Sequence, residues 1–128
     1  HSDADVALHS LTDAILGAIS EFDIGYHFPP NNKKWKNTNS LIFLNKALEL
    51  LASKGGYLTN IDMTFICEEP KISKYRLKMI NSLSSFCKIN KTHISVKATT
   101  TEKLGFLGRK EGIAVISTIS VILPFTKS

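Results

Sequence analysis

The chain has 128 residues, 43% of them hydrophobic and 21% charged, which makes one domain's worth of sequence with enough apolar surface for a buried core. Its net charge of +5 points to anionic ligands, but the lysines are dispersed and not interleaved with aromatics, which argues against a nucleic-acid-binding face. Cys67 and Cys87 form neither a CxxC pair nor a disulfide framework, and the longest apolar run is too short, and too broken by Ser and Thr, to span a membrane.

Ser2 and Asp5 have capping-box spacing, so a helix is predicted from Asp3. Ala7, Leu8, Leu11, Ala14, Ile15, Ala18 and Ile19 then form its apolar stripe, while Asp5, His9 and Asp13 recur every fourth residue on the opposite side. Residues 21–40 are rich in Gly, Pro and Asn and read as a long functional loop. Ser40 is expected to cap a second helix that runs to Lys54 and stops at Gly55 and Gly56. Alternation at Ile61, Met63, Phe65 and Cys67 predicts a strand. Pro70 and Ser73 introduce a third helix to about Cys87, with Leu77, Ile80, Leu83 and Phe86 as its core face. A strand over THISVKATT, a short segment TEKLGFLGRKEG and a final strand GIAVISTISVILPF complete the order. The expected fold class is α+β: a two-layer α/β sandwich, its mixed β-sheet covered by helices on one face.

Four stretches can carry chemistry. On the first helix, His9 lies one turn beyond Asp5 and suits zinc, although the same spacing also makes a plain surface pair. In VKATTTEKLGF, three threonines leaving a strand present hydroxyls and N–H groups suited to phosphate. Thr99 and Glu102 also have capping-box spacing; alternatively, the Glu102 carboxylate could hold Mg²⁺ beside phosphate oxygens. GFLGRKEG sets Arg109, a bidentate phosphate donor, among glycines, with Glu111 a plain charge neutraliser for Arg109 or Lys110. In CEEPKI, Lys71 stands at a helix start, where a cation wants an anionic partner.

In order, HSDADVALHSLTDAILGA, FDIGYHFP, KWKN, NIDMTFICEEPKI and ISVKATTTEKLGFLGRKEGIA resemble the 2-C-methyl-D-erythritol 2,4-cyclodiphosphate synthase family, zinc-dependent cyclases of non-mevalonate isoprenoid biosynthesis, over essentially the whole chain. The resemblance implies conversion of 4-diphosphocytidyl-2-C-methyl-D-erythritol 2-phosphate to the cyclic diphosphate and CMP, a phosphorus–oxygen lyase reaction. It implies Zn²⁺ or a similar divalent cation at His9, and Mg²⁺ or Mn²⁺ at Glu102. It gives catalytic roles to His1, Thr100 and Glu102. It gives substrate contacts to His1, Ser2, Asp23, Gly25, Phe28, Lys71, Ala98, Thr99, Thr100, Phe106 and Arg109, and puts Asp5 and Asp13 near the metal-bearing helix. It also implies a homotrimer with active sites between neighbours, an isoprenoid diphosphate on the axis near Arg109, and a location in bacterial cytoplasm or a plastid.

Two departures accompany the resemblance. Pro30 stands where many members carry an aspartate, leaving its contact to Asn31, Asn32 or water. The family's DxH motif, which supplies two further zinc ligands, precedes the first helix there, so residues 1–128 are expected to be one synthase domain lacking its N-terminal strands. The rival expectations are a non-catalytic trimer that binds isoprenoid diphosphates and a metal-dependent phosphohydrolase.

Overall fold

Helix α1 (Asp3–Ala18) follows most of the predicted stripe: Leu11 and Ile15 are fully buried and Ala7 and Ile19 nearly so, while Ala18 is exposed and Thr12 and Leu16, outside the stripe, are fully buried. The computed structural model describes residues 3–35, 39–68, 72–108 and 112–125. After α1 come the short helix α2 (Ile24–His27), a 3₁₀ turn at Lys33–Trp35, α3 (Ser40–Ser53) and strand β1 (Tyr57–Ile66). A 3₁₀ turn at Ile72–Lys74 leads into α4 (Arg76–Cys87), and another at Lys91–His93 leads into β2 (Ile94–Thr99). The one-turn helix α5 (Gly105–Gly108) and strand β3 (Ala114–Ile122) follow.

The sheet is three-stranded and mixed, in the order β2-β1-β3. Strand β1 runs parallel to β2, with Ile61 opposite Ile94 and Ile66 opposite Thr99, and antiparallel to β3. Ile61, Met63 and Phe65 of β1 are fully buried, as period-two alternation demands of a strand with one covered face. Each such side chain contributes about 1.5–3 kcal/mol of burial. The covering layer is helical. Ser10 of α1 donates to Val115 O at 3.2 Å and pairs with Ser117 Oγ at 2.8 Å, tying that helix to β3. On β2, Arg76 Nε donates to Val96 O at 2.9 Å from the start of α4. The other sheet face presents Ile116 and Ile122 of β3, both about half exposed, and a Lys97–Asp62 pair at 3.1 Å.

The expected mixed sheet with helices on one face is therefore present, and three details differ from the sequence reading. The α3 cap is Asn39, whose side chain accepts from Leu41 N at 2.8 Å, while Ser40 is buried as the first helical residue. Leu77, expected in the core, is 76% exposed, because it lies in the first turn of α4, which begins only at Arg76, whereas Leu83 of the same expected face is buried. Residues 21–40, read as irregular, contain both α2 and a 3₁₀ turn.

Candidate functional site

Two groups of predicted site residues are each held by their own hydrogen bonds. The first surrounds His9. Exposed on α1, His9 places Nε2 3.1 Å from Ser40 Oγ at the start of α3, and its ring lies 5.9 Å from that of Phe43. Phe28 is buried against Phe43, with ring centroids 4.6 Å apart, so it anchors the end of the FDIG loop rather than facing outward. Asp23 caps α2 by accepting from Tyr26 N at 2.9 Å, and Asp13 holds the same loop by accepting from Ile24 N at 2.8 Å. Both polar positions that sequence analysis associated with ligands thus also build the loop. His27 bonds to Glu21 O, and the Glu21 carboxylate pairs with Lys54 at 3.0 Å, fastening the loop to the end of α3.

Sequence reasoning did not single out Phe22. It stands at φ +72, a conformation rare for a bulky residue, and stacks 4.6 Å from exposed Tyr26. Pro30 and Asn31 are exposed, and Asn32 closes its own turn by accepting from Lys34 N at 3.0 Å.

The second group lies where β2 ends. Ala98, Thr99, Thr100 and Glu102 are exposed there, at the carboxyl end of a parallel strand, a usual place for ligands on a mixed sheet. The backbone turns sharply: Glu102 (φ +54) and Lys103 (φ +67) adopt left-handed conformations. Glu102 N donates to Thr100 Oγ1 at 2.6 Å, and Thr101 Oγ1 donates to Leu104 O at 2.8 Å. The capping-box alternative for Thr99 and Glu102 is thereby replaced, since Glu102 is itself part of a left-handed turn.

A residue missed by sequence reasoning organises this turn. Lys103 N donates to Glu68 Oε1 at 3.1 Å, and this bond chiefly holds the Glu68 carboxyl below its ordinary value, with the Thr100 hydroxyl and the N–H of Thr101 helping against partial desolvation. The signal lay in strand pairing. Cys67 N donates to Thr99 O at 3.1 Å, so a parallel register sends Glu68 toward the turn after β2. A carboxylate with a depressed value stabilises above its ordinary titration range and loses that effect as pH falls through the lowered value. Followed by the Lys103 amide resonance, the turn is expected to lose this anchor only below pH 4.5. A transition at or above 4.5 would show that Glu68 does not hold it.

The donor sets differ in what they can hold. A zinc centre takes at least three protein ligands, and the described residues contain no group of three His, Cys, Asp or Glu side chains, so His9 is a single donor and not a complete site. Glu102 fits Mg²⁺ better, because that ion needs only one or two carboxylates when substrate phosphates complete its shell. His1, Ser2, Lys71, Arg109 and Glu111 lie outside the described residues, as does the side chain of Phe106. A cavity of about 580 Å³ between α1, α4 and β1 is lined mainly by apolar residues, Leu8, Met63, Phe65, Met79, Leu83 and Phe86 among them. Neither residue group lines it, and its apolar wall does not suit a diphosphate. No helix among the described residues is long and apolar enough to cross a membrane.

Known proteins share this arrangement. The chain is 52% identical over 124 residues to the bifunctional enzyme IspD/IspF of Gluconobacter oxydans, covering 97% of this chain and 32% of that protein. It therefore spans about a third of the length of such curated relatives. The solved IspF of Plasmodium falciparum in complex with CDP matches with a TM-score of 0.83 and 39% identity, over 98% of this chain and 75% of that one. A CDP-bound 2C-methyl-D-erythritol-2,4-cyclodiphosphate synthase matches with a TM-score of 0.85 and 29% identity, over 95% of this chain and 79% of that one. With matching residues 1–122, the chain belongs to the YgbB family.

Proposed function

We propose that this domain converts 4-diphosphocytidyl-2-C-methyl-D-erythritol 2-phosphate to 2-C-methyl-D-erythritol 2,4-cyclodiphosphate and CMP, as a phosphorus–oxygen lyase of isoprenoid precursor biosynthesis. An oxygen of the 2-phosphate attacks the β-phosphorus. The bond from that phosphorus to the oxygen bridging the α-phosphate breaks, and CMP leaves with the bridging oxygen. Water does not enter the product. The observation that carries this reading is the ordered turn after β2, which offers an exposed carboxylate and an exposed threonine at the mouth of a parallel strand pair. Membership of the YgbB family and likeness to CDP-bound cyclodiphosphate synthases support it.

In this reading Thr99 and Ala98 border the cytidine diphosphate, and Asp23 with Gly25 offer a carboxylate edge and an uncrowded backbone to the sugar hydroxyls. An Asp23 oxygen is already fixed by Tyr26 N, which orients the other. Mg²⁺ or Mn²⁺ held at Glu102 would supply charge neutralisation between neighbouring phosphates. Zinc would draw on His9 together with ligands outside the described residues. The chain's own task is positioning: two anionic groups must be held in line and kept from water.

We also place the active form as a homotrimer with its sites between neighbours. The half-exposed Ile116 and Ile122 on the uncovered sheet face supply apolar surface for such an interface. Substrate with Mg²⁺, followed by ³¹P NMR, tests the reaction. A cyclic diphosphate with stoichiometric CMP is expected; open-chain phosphates would instead indicate hydrolysis, and unchanged substrate would exclude both. His9→Ala is expected to remove bound zinc, measured by elemental analysis, with little change in melting temperature because the ring is exposed. Full zinc content in that variant would take His9 out of the centre.

A further inference from the structure

The N–H groups of a left-handed turn form a concavity that favours an anion. Here that turn holds Glu102 and Lys103 at positive φ, and the sequence offers its N–H groups to substrate phosphate. They point elsewhere. Lys103 N–H is directed at Glu68 Oε1, 3.1 Å away and 35 residues earlier in the chain, and Thr101 N–H and the Thr100 hydroxyl face the same carboxylate. Thr100 Oγ1 in turn accepts from Glu102 N at 2.6 Å, which makes a continuous path from Glu68 through Thr100 to Glu102.

We infer that Glu68 is a positioning residue: it fills the concavity of the 100–103 turn as an internal anion and so fixes the backbone that presents Glu102 to the substrate. This rests on the cyclase reading above. Three consequences follow from charge and geometry. Substrate phosphate would meet the turn through a divalent cation held by the Glu102 carboxylate and through Thr99, not through the N–H groups of Thr101 and Lys103. Without its internal anion, the turn has no compensation for two non-glycine residues in left-handed conformations and opens. The effect stays local, because Glu68 lies beyond the end of β1 and its partners Thr100 and Lys103 are exposed.

The test is amide NMR with CDP, and Mn²⁺ binding measured separately, on the full chain, wild type and two variants. In wild type, CDP is expected to shift resonances near Ala98 and Thr99 while leaving the Lys103 N–H in its hydrogen-bonded position. Glu68→Ala should shift and broaden the Thr101, Glu102 and Lys103 amides without CDP present, and weaken Mn²⁺ binding by about tenfold. Its melting temperature should change little. Glu68→Gln keeps an acceptor for Lys103 N–H but not the charge, and should recover the turn and the Mn²⁺ affinity only in part. Three results would overturn the inference: CDP displacing the Lys103 N–H from Glu68, Glu68→Ala leaving those amides unchanged, or a broad loss of stability with Mn²⁺ affinity intact. If wild type binds no CDP, the cyclase reading fails instead, and the turn resonances of Glu68→Ala still decide whether Glu68 holds the backbone.

Discussion

Glu102→Gln is expected to lower kcat on the order of a hundredfold or more, and to raise the Mg²⁺ concentration needed for half-maximal rate. The substitution keeps the size and shape of the side chain and removes its charge. Among the described residues no hydrogen bond or ion pair ties the carboxylate to the fold: Glu102 contributes its backbone N–H to Thr100, while Glu68 and Thr101 hold the rest of the turn. The variant should therefore keep its melting temperature, and the loss should fall on the chemical step. Bringing a 2-phosphate against a diphosphate concentrates negative charge, and a carboxylate that recruits a divalent cation offsets it only while ionised. Steady-state kinetics over a Mg²⁺ series give the answer. Unchanged kcat and unchanged Mg²⁺ requirement would leave Glu102 as an exposed turn residue with no metal to hold.

What could be read from sequence was whatever depends on periodicity. The β1 alternation buries every residue its spacing selects and the α1 stripe buries Ala7, Leu11, Ile15 and Ile19 but not Ala18 at the helix end, because an element with one covered face admits few alternatives along its middle. The acidic and histidine row on α1, half-buried at Asp5 and exposed at His9 and Asp13, follows from the same spacing. Leu77 was misplaced because it falls in the first turn of α4, which starts only at Arg76, while Ile80, Leu83 and Phe86 of the same predicted face do pack on the core. Ser40 and Asn39 are both good caps, and only backbone geometry chooses between them. Glu68 was invisible for another reason: its partner is 35 residues away and becomes a neighbour only through parallel pairing of β1 with β2. The candidate site had the same limitation. Types of residue and their order were legible, whereas the engagement of Asp13, Asp23 and Thr100 in building their own loops is a tertiary fact.

Gly108→Ala is expected to disrupt the turn more severely than any side-chain deletion in it. A Cβ at residue 108 would stand 2.0 Å from the Lys103 carbonyl carbon, 2.5 Å from its Cα and 2.6 Å from its oxygen. These are backbone atoms, and no rotamer change relieves the clash. Lys103 cannot retreat without leaving its left-handed conformation and its bond to Glu68, and Gly108 N–H would lose its 3.0 Å bond to Leu104 O. The strain is shared by every contact that aims Glu102. A cost of about 3 kcal/mol or more is expected, released by opening residues 100–108 while the sheet stays folded. Hydrogen exchange should show those amides losing protection, with turnover falling at least as far as in Glu102→Gln. Gly105→Ala is the control. Gly105 also has positive φ, +67, but a Cβ there meets nothing within 4 Å. Only the left-handed conformation is penalised, by about 1–2 kcal/mol. The order of damage is therefore Gly108→Ala well above Gly105→Ala, since a steric collision with backbone adds to conformational strain. Equal effects of the two substitutions would mean that the close approach of Gly108 to Lys103 does not hold the turn.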